Sequence, residues 1–308
     1  MKRSELFLSV SKRYPALFRQ LFTYSIRGYL PPIHEHWLLR VLACEVFANA
    51  GFPMRDCPYR LYVPRELHKV YFDFFDHMDY ERVTSKAFAS ELKPGGVVVD
   101  VGANIGHYTL LGSAGVGPEG RVHAIECSPE TRALLEDNVK KNNLQNVEIH
   151  PFAASDTRGS LTLNITAIGL SWFNPHSQWP SVDGSGTTVA VPTMPLDDVI
   201  SSRVDLVKID AEGADLEVLK GMKRILSENQ KIAVIVEWAP LMLAEAGKDP
   251  LELPKWLREI GFTNIAVLDE FYHKERSLDE VVTMLETKKL PAGWVCDLFA
   301  KKTSKPAA

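Results

Sequence analysis

Cysteine is scarce in this sequence: Cys44, Cys57, Cys127 and Cys296 are the only four in 308 residues, and no two stand in a CxxC spacing. An even count in a chain this large does not make a disulfide framework, so they read as reduced packing residues. Long apolar runs are also missing. The nearest, over residues 37–52, is broken by Arg40, Glu45 and Asn49 and is too short to span a bilayer. Nor is there an excess of positive charge. Lys and Arg number 35 against 39 Asp and Glu, a formal net charge of -4, which argues against a nucleic-acid binder that relies on a globally basic surface. Internal repeats and low-complexity tracts are absent, and with 45% hydrophobic and 24% charged residues the chain reads as globular.

What is present divides at about residue 90. Residues 1–90 are rich in aromatics and helix formers and read as a helical extension or cap, with one short strand near residues 59–63. The first 30 residues carry six basic side chains but no clean apolar segment or small-residue cleavage site. Phe7, Val10, Tyr14, Leu17, Phe18 and Leu21 fall on one helical face. A helix capping the main domain fits this pattern, and so does a helix lying on a membrane surface.

Residues 91–308 alternate short apolar runs with helical stretches. Strands are expected over 97–99, 122–125, from 147, over 204–209, 232–236, 264–268 and 294–300. Helices are expected over 131–142, 216–226 and 251–260. The alternation implies an α/β fold with a doubly wound, seven-stranded, largely parallel sheet whose last pair forms an antiparallel edge. In such sheets ligands bind beyond the carboxyl ends of the strands.

Two strand ends stand out. Asp100-Val101-Gly102-Ala103-Asn104-Ile105-Gly106 closes the first strand and opens a helix. Glycines there permit a tight turn and close backbone approach. The spacing departs from the dinucleotide fingerprint, and an acid directly before it misfits a pyrophosphate. Glu126 ends the second strand, 20 residues beyond Gly106, where a carboxylate can accept both hydroxyls of a ribose. S-adenosylmethionine needs ribose recognition, tolerates acids near its cationic groups and has no phosphate.

These residues resemble the FkbM family of S-adenosylmethionine-dependent methyltransferases. The resemblance runs from residues 99–109 through Ala124-Ile125-Glu126, Ala154-Ser155-Asp156 and Leu196-Asp197-Asp198 to Lys208-Ile209-Asp210-Ala211-Glu212-Gly213, its most specific block. It implies a class I, Rossmann-like methyltransferase fold acting on a hydroxyl of a sugar, lipid-linked glycan or polyketide-type natural product. It also implies Asp100 and Gly102, with Ala103, Asn104 and Gly106, near the methionine part, Glu126 on the ribose, and Ala153, Ala154 and Cys127 beside the adenine.

For the chemistry, methyl transfer to an alcohol requires an oriented oxygen and a group to take its proton. Asp210 ends the fourth strand, Glu212 follows two residues on, and Glu237 ends the neighbouring fifth strand. Asp210 and Glu237 suit either a base with its orienter or two ligands of a hard divalent cation. As structural alternatives, Lys208 neutralises Glu237 and Glu212 caps the next helix. His150, at the end of the third strand, is a further base candidate. His107 and His123 read as packing residues. Between Gly159 and Leu196 the only charged side chain is Asp183, while Trp172, Phe173 and Trp179 offer faces on which a sugar can stack.

The expectation is therefore a cytoplasmic O-methyltransferase with a small-molecule, sugar or lipid-linked glycan acceptor. It has no nucleic-acid partner and no spanning segment, and leaves room for peripheral membrane contact. An NAD-dependent oxidoreductase and a catalytically silent nucleoside-binding module are the alternatives. An amino-methyltransferase is disfavoured because Asp210-Ala211-Glu212-Gly213 stands where an Asp-Pro-Pro-Tyr type of turn is expected.

Overall fold

Apolar strand runs that alternate with helices can bury both sheet faces only by winding back and forth across one sheet. That is the architecture of the computed structural model, which describes residues 51–64, 80–165, 171–172 and 187–302. The chain divides into two compact units, Met1–Tyr80 and Glu81–Ala308. In the first, β1 (Phe52–Pro53) and β2 (Arg60–Leu61) pair antiparallel, β2 lying where a short strand is expected. The expected amphipathic helix before residue 30 lies outside the described residues.

The second unit is built on an eight-stranded sheet. Its strands are β3 (Val97–Val101), β4 (Arg121–Ile125), β5 (Val147–His150), β10 (Leu206–Ile209), β11 (Ala233–Trp238), β12 (Phe262–Asp269), β13 (Lys274–Ser277) and β14 (Cys296–Lys302). The order across it is β13-β12-β14-β11-β10-β3-β4-β5. From β11 to β5 the strands are parallel, while β14 runs antiparallel to β11 and β12. The strand beyond the expected seven is β13. Its sequence, Lys-Glu-Arg-Ser, has no apolar residue, so neither a hydrophobic run nor an alternation marks it.

Between β5 and β10 a second, four-stranded sheet is inserted. It comprises β6 (Ala153–Ala154), β7 (Gly159–Ile165), β8 (Ser171–Trp172) and β9 (Thr187–Met194), in the order β6-β9-β7-β8.

Helices pack on both faces of the main sheet. Strand side chains alternate and register partners share a face. Val98, Asp100, Val122, Ala124, Lys208, Ile235, Glu237 and Asp297 therefore point one way. On that side lie α1 (Arg82–Glu91), α2 (His107–Val116) and α3 (Pro129–Lys141). Val99, Val101, His123, Ile125, Val207, Ile209, Val234 and Val236 point the other way. There all of these but His123 join Val218, Leu219, Ile225, Leu257 and Val281 of the helical side in the main core.

Local chemistry sets the helix limits. Ser128 caps α3, accepting the Thr131 N–H at 3.4 Å, Pro129 opens the helix, and Lys140 and Lys141 face its negative end. The single helix expected over 216–226 is two, α4 (Asp215–Lys220) and α5 (Lys223–Glu228). At the joint, a Cβ on Gly221 would lie 1.9 Å from the Ser155 carbonyl oxygen, so the backbone after β6 occupies the space a side chain would need.

Candidate active site

The turn after β3 is tied to β4 by its own amides. Gly102 and Ala103 N–H groups both donate to the Ile125 carbonyl at 3.0 Å, and the Asn104 N–H donates to Glu126 Oε2 at 2.9 Å. Gly102 has φ +73, and a Cβ there would sit 1.9 Å from the Asp210 carbonyl oxygen. Only glycine lets the β3 and β10 turns touch. Asn104 also lies in the left-handed region, at φ 49, which Asn tolerates better than most residues.

Glu126 is buried, and Ser128 N–H donates to its Oε1 at 2.8 Å. Burial pushes its pKa up to about 7 against the pull of the two amides. Each carboxylate oxygen has thus accepted one N–H and keeps lone-pair capacity for a further donor, which fits a ligand diol. Asp100, held by the Thr109 hydroxyl at 2.5 Å, is pushed to about 6 by burial. Cys127 packs against the inserted sheet, and its thiol is pushed up to about 12 by burial and Glu126.

Beside this turn lies a crowd of carboxyls around one ammonium. Lys208, fully buried in β10, reaches Asp297 Oδ1 at 3.0 Å and Asp210 Oδ2 at 3.8 Å, and its Nζ lies 5.4 Å from the Tyr108 ring centroid. Burial alone would lower its pKa, but Asp297, Asp210 and Glu81 outweigh it and hold it well above the ordinary value. Thr84 Oγ1 donates to Asp297 Oδ2 at 2.8 Å, and the Tyr108 hydroxyl to Glu81 Oε2 at 2.5 Å.

Around this centre the acids hold their protons more tightly than usual. Glu81 rises to about 7 through burial, and Asp210 is raised, also chiefly by burial. Glu237 stands well above its ordinary value because of burial and then Asp210, Asp215 and Glu212. Glu212 sits at the rim, with solvent on one side and protein on the others. Lost hydration, then Asp210 and Asp215, push it to about 7. The turn that presents it, at φ 50, is held by Asp215, whose carboxylate accepts Ala211 N–H at 2.9 Å and Gly213 N–H at 3.1 Å.

The family description "Methyltransferase FkbM domain" matches residues 100–263, more than half of the chain. The chain belongs to the FkbM methyltransferase family. Its sheet order and site at the carboxyl ends are those of the class I S-adenosylmethionine-dependent methyltransferase fold. It is similar to the hexuronic acid methyltransferase AglP of Haloferax volcanii, 27% identical over 183 residues, covering 58% of this chain and 68% of that one. It is 28% identical over 162 residues to the 31-O-demethyl-FK506 methyltransferase FkbM of Streptomyces tacrolimicus, covering 43% and 62%. A 63-residue stretch is 40% identical to the arsenite methyltransferase of Halobacterium salinarum, covering 20% of this chain and 16% of that one. The chain thus spans less than two thirds of the length of two of these three relatives. Among solved structures, methyltransferase FkbM from Methylobacillus flagellatus KT aligns at 16% identity and a TM-score of 0.42, over 85% of this chain and 59% of that one.

In this FkbM chain the structure brings the expected residues together unevenly. Gly102, Ala103, Asn104 and Glu126 are bonded into one turn, and Asp210, Glu212 and Glu237 interact with one another beside it. Lys208 makes its close ion pairs with Asp297, the register partner of Glu237 on β14, and with Asp210; its charge also acts on Glu237 but is outweighed there by burial and the neighbouring acids. Glu212 does not cap α4: the N-cap is Ala214, with no side-chain cap, and Asp215, the first residue of the helix, turns its carboxylate back onto the Ala211 and Gly213 amides of the turn. Asp197 serves as a cap, accepting the N–H groups of Arg224 and Ile225 at the start of α5. His150 contacts His123 on the opposite sheet face from Asp100 and Lys208. Among the described residues, no set of three donor atoms within 4.8 Å of one another includes Asp210 or Glu237. Ala153 and Ala154 form β6, paired with Thr193 and Met194. Trp172 lies in β8, and Phe173 and Trp179 lie outside the described residues.

Sequence reasoning passed over Thr84 and Asp297, gave Tyr108 no role beyond its place in the motif, and named Lys208 only as a neutraliser of Glu237. One signal was available: Leu-Val-Lys-Ile places a cation inside an otherwise apolar central strand, where it must have a buried partner.

Proposed function

We propose that this chain transfers the methyl group of S-adenosylmethionine to a hydroxyl oxygen of a sugar, glycan or polyketide-type natural product. The observation that carries the reading is a buried, amide-held Glu126 with spare acceptor capacity, set beside a carboxyl cluster that has Lys208 as its central cation. A ligand with a ribose diol and cationic groups answers both. The cofactor supplies an electrophilic methyl on a sulfonium.

In this reading the 102–106 turn and Glu126 hold the ribose side, and Ala153, Ala154 and Cys127 border the adenine. Asp100 and Asp210 face the methionine end. Glu212, accessible at the rim with a pKa of about 7, takes the acceptor proton as its oxygen bonds to the methyl carbon and the carbon–sulfur electron pair leaves on sulfur. Glu237, whose carboxyl is held above its ordinary value by burial and then by Asp210, Asp215 and Glu212, helps to orient Glu212. Trp172, Phe173 and Trp179 would offer stacking faces to a sugar. His150, on the other sheet face, takes no part. Two relatives are named for a hexuronic acid and for an O-demethyl compound, and both acceptor classes carry hydroxyls.

Calorimetric titration with S-adenosylmethionine and S-adenosylhomocysteine, with and without magnesium, tests the cofactor. Micromolar binding by the wild type that weakens at least about tenfold in Glu126→Ala is expected, an effect of roughly 1.4 kcal/mol. Equal binding by the variant, or binding of NADH instead, overturns the assignment. Transfer of labelled methyl to hexuronic acid and macrolide acceptors then tests the reaction, and binding without turnover on any acceptor would favour a silent module.

A further inference from the structure

Away from the carboxyl cluster, strand alternation places three more donors side by side. His123 of β4 is the register partner of Glu148 in β5, and His150 follows Glu148 by two residues, so all three side chains leave the same sheet face. His123 Nδ1 lies 3.1 Å from His150 Nε2 and 3.6 Å from Glu148 Oε2, and His150 Nε2 is 3.9 Å from Glu148 Oε1.

We propose that His123, Glu148 and His150 form a binding site for a borderline divalent transition ion such as zinc, which clamps the edge strand β5 to β4. Two imidazoles and a carboxylate are a donor set for this class of ion, whereas magnesium and calcium prefer oxygens alone. Tetrahedral bonds of about 2.0 to 2.1 Å put ligand atoms about 3.3 Å apart. The three separations bracket that value, so small side-chain rotations close the site. Both imidazoles are buried, which fixes their place, while Glu148 is half exposed and leaves a path for the ion and for a water as fourth ligand.

Two alternatives explain the cluster less well. As a hydrogen-bonded network it is incomplete, because only His123 Nδ1 and His150 Nε2 are within hydrogen-bond distance, while Glu148 stands 3.6 and 3.9 Å from the two rings. As an ion pair, Glu148 has Arg121 at 3.3 Å, but both side chains are largely in solvent and such pairs contribute little.

The location gives the ion something to do. Among the described strands β5 is the outermost of the main sheet, with β4 as its neighbour there. The His150 carbonyl accepts the Glu126 N–H at 3.1 Å. An ion fixing the His150 ring would hold the strand end on which the Glu126 backbone rests.

The test uses untagged full-length protein stripped with a chelator and then titrated with zinc chloride against a chromophoric competitor. Cobalt chloride serves as a spectroscopic probe and magnesium chloride as a control. Expected are one zinc per chain, visible absorption of low-symmetry cobalt, and a melting midpoint that rises with zinc and not with magnesium. Glu148→Gln, at a half-exposed position, and His150→Gln should each weaken zinc binding about tenfold or more and abolish the zinc-dependent rise. If His150→Gln fails to fold, Glu148→Gln alone decides. No stoichiometric zinc in the wild type, or zinc binding that both variants retain unchanged, overturns the site.

Discussion

Lys208 and Asp297 form the pair on which the acid cluster turns, and their energetics are asymmetric. Taking an ammonium out of water is repaid only while its partner is present. Asp297→Ala leaves Lys208 buried with Asp210 at 3.8 Å, and loss of a buried partner costs about 3–5 kcal/mol. Urea denaturation should show that loss, and a change under 1 kcal/mol would mean that water reaches the ammonium. Glu212 carries the second prediction at this scale. A base must be unprotonated to act, so kcat/KM should rise through about pH 7 and level off above it, following the pKa of about 7. Glu212→Gln should lose that acid limb and at least about 100-fold in rate, and an unchanged limb would assign it to another group. Of the partners of Lys208, Asp210 was legible as a strand-end acid, whereas Asp297 was not. Asp297 lies 89 residues away along the chain, and no local pattern signals a contact of that kind.

Elements were legible in proportion to their apolar content. β3, β4, β10 and β11 announce themselves as valine and isoleucine runs, since strands covered on both faces need no alternation. The turn from Gly102 to Gly106 was legible for a related reason, because glycine punctuates a strand end only where the backbone demands it. The 216–226 segment misled because its leucines keep helical periodicity straight across Gly221, and the break is dictated by Ser155, far away in sequence. Gly221→Ala should therefore destabilise the protein by about 2 kcal/mol or more, as overpacking against backbone does, with thermal melting as the readout. A shift of under 1 °C would show that the α4–α5 joint yields. Capping misled for a different reason. An acid just ahead of a helix suits a cap, but Ala214 is the N-cap of α4, and the carboxylate that meets backbone amides is that of Asp215, inside the helix, bonded back to Ala211 and Gly213.

At the scale of the molecule, the raised carboxyls have a collective signature. In Glu81, Glu126 and Glu212 the folded pKa is about 7, and in Asp100 and Asp215 about 6, so between about pH 4 and 7 the folded chain holds protons that the unfolded chain releases. Stability then falls as pH rises through that window. His107 and His123, held down to about 3 and about 4 mainly by burial, pull the other way below about pH 6.5, but they are outnumbered. Ligand-free, chelator-treated protein should melt at a lower temperature at pH 7.5 than at pH 5.5. S-adenosylmethionine should recover part of the difference at the higher pH. A melting temperature that climbs steadily from pH 5.5 to 7.5 would show that these acids are ionised in the folded state.

β14 has a consequence for how the chain is made. It enters the sheet between β11 and β12, which both precede it in the order of synthesis. Until residues 296–302 have left the ribosome, β11 has an open edge and the β12–β13 hairpin has nothing to pair with. A nascent chain stalled before that point would expose two unpaired edges and the apolar face destined for Leu298 and Ala300. Among the described strands of the sheet, the one that joins its two halves is made after all the others, so chaperone occupancy during translation should persist until it emerges.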